Sequence, residues 1–390
     1  MNELNLSDSS SRLIGQKMFQ ILAKAQELEK LGQSILHFEI GDPDFATNDQ
    51  IIMAAIESLK MGRTHYENSK GALELRLKSA EVTERSRGFK PDVSQLLVTP
   101  GANIQIFLAL SCIANTGDEI IVPDPGFVSY EAIISYLGLS SVKVPIKEKN
   151  NFSMMASDVA SLITKKTKAI IINSPGNPTG GITPRDELEK IFELARKNNL
   201  FILSDEIYAR IIYSKTAEFF SIASIDACKE RCILINGLSK AYAMTGWRIG
   251  VMTAPSFLTE KMGLLLETLL SSVPGFIQMA AVKALSLDKS VAGDMIKEYE
   301  HRRNILVSGL NSISGFSCLL PEGAFYAFPN ITKTGLTDEQ ISEILLEKCG
   351  IAVVPGSYFG PNGKNHIRFS YVSGIDKIEE AISRMKTYFN

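Results

Sequence analysis

The chain has 390 residues, 45% of them hydrophobic and 22% charged, with a formal net charge of -2. Ordinary globular usage of this kind excludes a disordered, collagen-like or coiled-coil chain. The length predicts roughly two or three domains and a core large enough to fold without disulfide or metal staples. Lys+Arg at 41 against Asp+Glu at 43 leaves no basic excess, so nothing points to a nucleic acid as partner.

The N-terminus is polar and has no apolar signal-peptide core, which predicts a cytoplasmic protein. The first 45 residues are read as an arm and part of a smaller domain. From about residue 95 to 255, short apolar runs alternate with helical patterns. The runs are Leu96-Leu97-Val98, Ile120-Ile121-Val122, residues 169–172, Phe201-Ile202-Leu203 and Ile233-Leu234-Ile235. Runs of this length and composition read as strands buried on both faces. Their alternation with helices predicts an α/β fold with a mostly parallel sheet, in a large domain over residues 46–290. The apolar stretch 263–285 is broken by Glu267, Pro274 and Lys283, so it predicts no membrane span. A small α+β domain is expected over residues 291–390. It would hold a helix over 293–313, strand-like pieces at 324–328 and 351–354, and a helix opened by a Thr337/Gln340 capping box and ended by Gly350. Ile375, Ile378, Ile382 and Met385 mark a last amphipathic helix. Five scattered cysteines predict free thiols in a reducing compartment.

In an open α/β sheet, ligands bind beyond the carboxyl ends of the strands. The residues that follow the apolar runs are therefore the informative ones. After the first run, Gly101 and Ala102 lead into a helix whose backbone N–H groups suit an anion, or simply turn the chain. After residues 169–172 comes Asn173-Ser174-Pro175-Gly176-Asn177-Pro178-Thr179-Gly180, a turn fixed by two prolines with the Asn177 amide on display. Asp205 ends the next run, where a buried carboxylate wants a cationic partner or caps a helix. The densest stretch is residues 236–250. There Lys240 follows a buried strand among glycines, with Arg248 further on and the only tryptophan, Trp247, between them. A lysine in such surroundings loses its proton readily and attacks carbonyls, and an arginine offers a fork of donors for phosphate. In His366-Ile367-Arg368-Phe369, Arg368 reads either as an edge-strand charge or as a bidentate clamp for a carboxylate.

Residues 237–250 resemble the Schiff-base lysine signature of the class I/II pyridoxal-5′-phosphate aminotransferases, the aspartate-aminotransferase-like group of fold type I. Gly41-Asp42-Pro43-Asp44-Phe45, His65-Tyr66, Pro100-Gly101-Ala102-Asn103, Pro125-Gly126-Phe127, Asn177-Pro178-Thr179-Gly180, Asp205-Glu206-Ile207-Tyr208 and His366-Ile367-Arg368 match the same family in the same order. The resemblance implies that Lys240 holds the cofactor as a Schiff base and, once freed, moves the substrate α-proton. It implies that Asp205 pairs with the pyridine nitrogen, that Tyr208 and Asn177 bond the ring oxygen, and that Phe127 lies on the ring face. Gly101, Ala102 and Arg248 would hold the phosphate, with Ser239 and the helix start at Asn103 beside them. Tyr66 would reach the phosphate of a neighbouring subunit, which implies a homodimer with shared active sites. Arg368 would bind the substrate α-carboxylate with the Gly41 backbone and Asn177. Ile14, Gly15, Lys17 and Met18 fall where the family lines its substrate entrance.

The expected activity is transfer of an amino group from an α-amino acid to a 2-oxo acid such as 2-oxoglutarate, in two ping-pong steps. Many aspartate-type relatives carry a lysine where this chain has Asn103. Others bring an arginine from the neighbouring subunit, in the region that here reads Ser271-Ser272-Val273-Pro274. The donor is thus aspartate-type or broad. The same lysine and aspartate would also serve a carbon–sulfur β-lyase, a synthase or an oxidase, and a cofactor-free interaction module is the non-enzyme alternative. Gly237-Leu238-Ser239-Lys240-Ala241 lacks the last glycine of a hydrolase nucleophile elbow. No GxxxxGK[ST] or GxGxxG occurs. Cys228 and Cys232 have helix spacing but no second ligand pair, so no metal site is expected.

Overall fold

A computed structural model describes residues 5–213 and 219–390, and of residues 288–292 the backbone alone. Its largest sheet has seven strands. In spatial order they are Leu96–Thr99, Gly250–Thr253, Cys232–Ile235, Phe201–Asp205, Thr167–Asn173, Glu119–Asp124 and Ser140–Pro145. Every pairing is parallel except those of Gly250–Thr253, which runs antiparallel to both neighbours. Parallel neighbours need crossovers. The helices Val128–Tyr136, Ala156–Leu162 and Arg185–Lys197 lie in these connections, the one between Phe201–Asp205 and Cys232–Ile235 carries the short turn Ile222–Ser224, and Asn103–Ile113 joins two strands that are not neighbours.

Successive residues of one strand face opposite sides of the sheet. Ile121, Ile170, Ile172, Ile202 and Leu234 enter one buried cluster, while Ile120, Ile171, Leu203, Ile233 and Ile235 enter another. Both faces are covered, which is why these strands read as unbroken apolar runs. Register then fixes what stands at the carboxyl edge. Asn173 pairs with Asp205, and Asp205 with Ile235. The segments leaving these strands, which carry Asn177, Tyr208 and Lys240, therefore start side by side.

A separate buried cluster gathers residues from Met295 to Met385 together with Leu36 and Phe38. Its sheet is antiparallel, in the order Val354–Pro355, Ile367–Ser370, Tyr326–Ala327. The helices Asp288–Asn311, Asp338–Cys349 and Ile375–Phe389 contribute to it. Leu36–His37 pairs in parallel with Ile351–Ala352, and the Ser370 N–H donates to the Phe38 carbonyl at 2.8 Å. The segment 36–41 is thereby stitched to the C-terminal elements.

Some elements differ from the sequence reading. The helix expected over 293–313 is Asp288–Asn311, and the strand pieces are shorter, at Tyr326–Ala327, Ile351–Ala352 and Val354–Pro355. The apolar stretch 263–285 belongs to two helices, Ser256–Leu270 and Gly275–Ser286, which part around Pro274. Among the described residues no helix is long and apolar enough to cross a membrane. The Thr337/Gln340 capping box is present, and Gly350 closes that helix at φ 66° in the left-handed region. Cys228 and Cys232 share no helix. Cys232 opens a strand, and Asp226 accepts from the N–H groups of both residues.

Candidate active site

A cavity of about 350 Å³ opens at the carboxyl edge of the large sheet. Of the residues singled out from sequence, Gly41, Ala102, Asn103, Phe127, Asn177, Asp205, Tyr208, Ser239, Lys240, Arg248 and Arg368 line it. Gly101 lies directly beneath Arg248, and a Cβ built there would stand 2.6 Å from a guanidinium nitrogen. Its φ of +84° is a conformation that glycine adopts without strain. The guanidinium thus rests on the backbone just ahead of the helix Asn103–Ile113, where N–H groups and a fixed cation suit a phosphate. Tyr66 is 89% exposed and does not line the cavity.

Lys240 leaves the strand Cys232–Ile235 through the loop that carries Arg248. The loop is pinned from outside. Thr47 donates to the Ala243 carbonyl at 2.6 Å and accepts from the Trp247 ring N–H at 3.0 Å. Thr245 donates to Asp42 at 2.7 Å. The single tryptophan is therefore a fastener of the loop, not a cavity wall. Lys240 Nζ donates to the Gly41 carbonyl at 2.6 Å, a neutral acceptor. Burial lowers the Lys240 amine to about 8, and Arg368 and Arg248 push the same way against Asp42. A side chain so placed carries a large neutral fraction at physiological pH.

Asp205 is 5% exposed. One sequence reading of it is corrected, since no helix begins there. No basic side chain bonds it among the described residues, so the cationic partner it wants is not a side chain of this set. Its Oδ2 accepts from the Tyr130 hydroxyl at 2.6 Å and its Oδ1 from the Ile207 N–H at 3.3 Å. Burial raises its carboxyl to about 6 despite both bonds. The buried carboxylate is short of one positive partner. Its neighbour Glu206 has one in Arg87, at 2.6 Å.

Arg368 is 1% exposed and lies in the middle strand of its sheet, so the edge-strand reading fails. Its guanidinium is sandwiched between the rings of Tyr326 and Phe359, each 4.8 Å from it. It donates to the Glu39 carbonyl and to the Asn177 amide oxygen, the latter at 3.2 Å. Its Nε is buried and unbonded. A guanidinium bonded only to neutral oxygens, with a free donor, suits an incoming carboxylate.

Three residues at this site escaped the sequence reading. Tyr130 is one. It sits one turn after Phe127, its ring edge-on to that ring at 5.6 Å, and in sequence it is indistinguishable from a core aromatic. Tyr326 is another. Its hydroxyl bonds the Tyr208 hydroxyl at 2.8 Å. It also explains Gly41, where a Cβ would fall 2.1 Å from the Tyr326 oxygen. Asn173 donates to the Asp205 carbonyl and accepts from the Asn177 N–H at 2.8 Å, tying two lining segments together. Of the entrance residues, Met18 lines the main cavity, while Ile14, Gly15 and Lys17 line a second one of about 230 Å³.

Comparison with known proteins follows the same line. The family model described as aminotransferase class I and II matches residues 33–385. Aspartate aminotransferase of Pyrococcus abyssi is 40% identical, over 95% of this chain and 94% of its own. Aromatic-amino-acid aminotransferase 2 of Thermococcus litoralis is 38% identical, over 98% and 97%. The solved structure of aspartate aminotransferase from Thermus thermophilus with maleate has a TM-score of 0.93 at 31% identity, covering 99% of this chain and 100% of that one.

Proposed function

Because this chain belongs to the class I and II aminotransferases, a pyridoxal-5′-phosphate-dependent enzyme family of fold type I, we propose that it passes the amino group of an α-amino acid to 2-oxoglutarate in two half-reactions. The observation that carries this reading is one cavity holding two buried groups, each short of a partner of opposite charge, and a half-buried lysine. Lys240 is readily deprotonated, Asp205 lacks a cation, and Arg368 lacks an anion.

These groups fit pyridoxal phosphate. Bound there, the cofactor supplies an aldehyde carbon and a protonated pyridine ring that accepts the electron pair left by the substrate α-proton. Lys240 would hold the aldehyde carbon and, when free, would move the substrate α-proton as general base. Asp205, steadied by Tyr130, keeps the ring nitrogen protonated, which also settles its own charge. Tyr208 and Asn177 would bond the ring oxygen, and Phe127 would cover the ring. Gly101, Ala102, Asn103, Ser239 and Arg248 cradle the phosphate. Arg368 clamps the substrate α-carboxylate beside Gly41 and Asn177.

We read the enzyme as a homodimer in which Tyr66 serves the partner's site. The exposed Met53, Ile56, Tyr66, Leu73, Leu269 and Leu270 support that reading, since apolar surface of this kind marks interfaces. The division into an arm at 1–45, a large domain at 46–290 and a small domain at 291–390 belongs to the same reading, with residues 1–4 outside those described. The donor is aspartate-type or broad.

A single-turnover absorbance scan tests the proposal. The holoenzyme is mixed with each common amino acid in the absence of an acceptor. Conversion to the pyridoxamine form, reversed by 2-oxoglutarate, is expected. An unchanged cofactor spectrum with release of ammonia, pyruvate or peroxide would mark a lyase or oxidase instead.

A further inference from the structure

Glu39 is fully buried, with 0% of its surface exposed. A buried carboxylate is costly unless its charge is met. His37 Nδ1 meets it, donating to Glu39 Oε1 at 2.7 Å, while the other oxygen, Oε2, is buried and unbonded. The Glu39 backbone carbonyl meanwhile accepts from Arg368, and the Gly41 carbonyl accepts from Lys240. The short segment 39–41 thus holds two of the cavity's three cations, Lys240 and Arg368, by backbone oxygens, and its only charged side chain is Glu39. That charge is also close enough to act on Arg368.

We propose that His37 is a positioning residue for substrate binding: by satisfying the Glu39 carboxylate it keeps the Arg368 guanidinium available to the substrate carboxylate. Without a cation at His37, the Glu39 charge is left to act on Arg368. Glu39 then competes with the substrate for it. The inference rests on Arg368 as the substrate clamp.

The groups facing His37 favour its charged form. Glu39 lies on its own segment, and Glu29, on the helix Met18–Lys30, accepts from Nε2 at 3.1 Å. Ser373 brings an uncharged hydroxyl to the His37 carbonyl, and the paired strand Ile351–Ala352 carries no titratable side chain. The hydrogen bond to Glu39, against burial, raises His37 to about 9. The compensation is therefore present at neutral pH and is lost as pH rises through about 9.

The test uses the holoenzyme and propionate, a carboxylate without an amine to titrate, as a competitive inhibitor at pH 7.5. His37→Gln, which keeps a donor but no charge, should weaken propionate binding roughly five- to tenfold. It should also lack the further loss of affinity near pH 9 that the parent shows. Adding Glu39→Gln to His37→Gln should restore affinity to within about twofold of the parent. Unchanged affinity in His37→Gln, or a double variant as weak as the single one, overturns the proposal. So does a lower melting temperature with unaltered affinity. Should His37→Gln not fold, Glu39→Gln alone decides. It should abolish the parent's alkaline loss of affinity, and persistence of that loss overturns the proposal. Arg368→Gln runs alongside. If it leaves propionate binding intact, the clamp itself is misassigned, whatever His37 does.

Discussion

The Tyr130 hydroxyl donates to Asp205 Oδ2 at 2.6 Å, and this bond stands where a buried carboxylate would ordinarily find a cation. Burial raises the Asp205 carboxyl from 3.8 to about 6 in the cofactor-free chain. A raised acid destabilises the fold in its charged form. The cost is absent below the unfolded pKa, grows as pH climbs from 3.8 to about 6, and persists above. A shift of this size corresponds to about 3 kcal/mol. Asp205→Asn should therefore raise the melting temperature of the cofactor-free protein at pH 7.5 and leave it nearly unchanged near pH 4. Turnover of the loaded variant should fall by more than about a hundredfold. Thermal scans at the two pH values and a steady-state assay check both halves.

Lys240 gives a second prediction, in rate rather than stability. With its amine lowered to about 8, the neutral fraction is about 1% at pH 6 and about half at pH 8. The rate at which the cofactor-free protein takes up pyridoxal phosphate covalently should rise roughly fiftyfold across that interval and then level off. Stopped-flow absorbance measures it. A rate still climbing in proportion to hydroxide at pH 10 would mean that Lys240 keeps an ordinary amine. Lys240→Ala should lose the covalent cofactor and essentially all transamination.

How much of this was legible in the sequence follows from how each group is held. Lys240, Asp205 and Arg368 stand beside or within buried strands, so the apolar runs mark the strand ends where Asp205 and Lys240 lie, while the spatial order of the strands does not show in them. Asn177 and Gly101 could be read because prolines and glycines mark turns directly. Tyr130 and Tyr326 could not. Each is an aromatic among aromatics, and only the tertiary packing that brings Tyr130 to Asp205 and Tyr326 to Tyr208 reveals what their hydroxyls meet. The early start of the helix Asp288–Asn311 was hidden for a similar reason. Leu287 ends one helical stretch and caps the next, so the sequence carries no breaker there. Trp247 drew notice for its rarity, yet its ring N–H reaches Thr47 at the far side of the loop.

Gly101→Ala tests the phosphate cradle. The added methyl would stand 2.6 Å from Arg248 Nη2 at a backbone φ of +84°. The guanidinium has to move, and the left-handed backbone adds about 1–2 kcal/mol of strain. Arg248 is also bonded to the Thr245 carbonyl at 2.9 Å, so its displacement loosens the loop that carries Lys240. Affinity for pyridoxal phosphate should drop at least about tenfold, read by fluorescence titration of the cofactor-free protein. Equal affinity in the variant would place the phosphate elsewhere.

Next to Asp205 in the chain, Glu206 has a different task. Its Oε2 accepts from Arg87 Nε at 2.6 Å, and its Oε1 accepts from the Ser204 and Ser221 hydroxyls at 2.9 and 2.6 Å. Both charged side chains are only 2% exposed. Arg87 ends the helix Leu73–Arg87, so the pair bolts that helix to the end of the strand Phe201–Asp205. Arg87→Met strands a buried carboxylate with two hydroxyls as its donors among the described residues and should cost about 3–5 kcal/mol. Arg87→Met combined with Glu206→Leu removes both charges and should recover most of the loss, because an apolar pair of similar volume replaces an ion pair at little net cost. Urea midpoints of the two variants decide the matter. A double variant no more stable than Arg87→Met would mean that the pair holds shape through packing rather than charge.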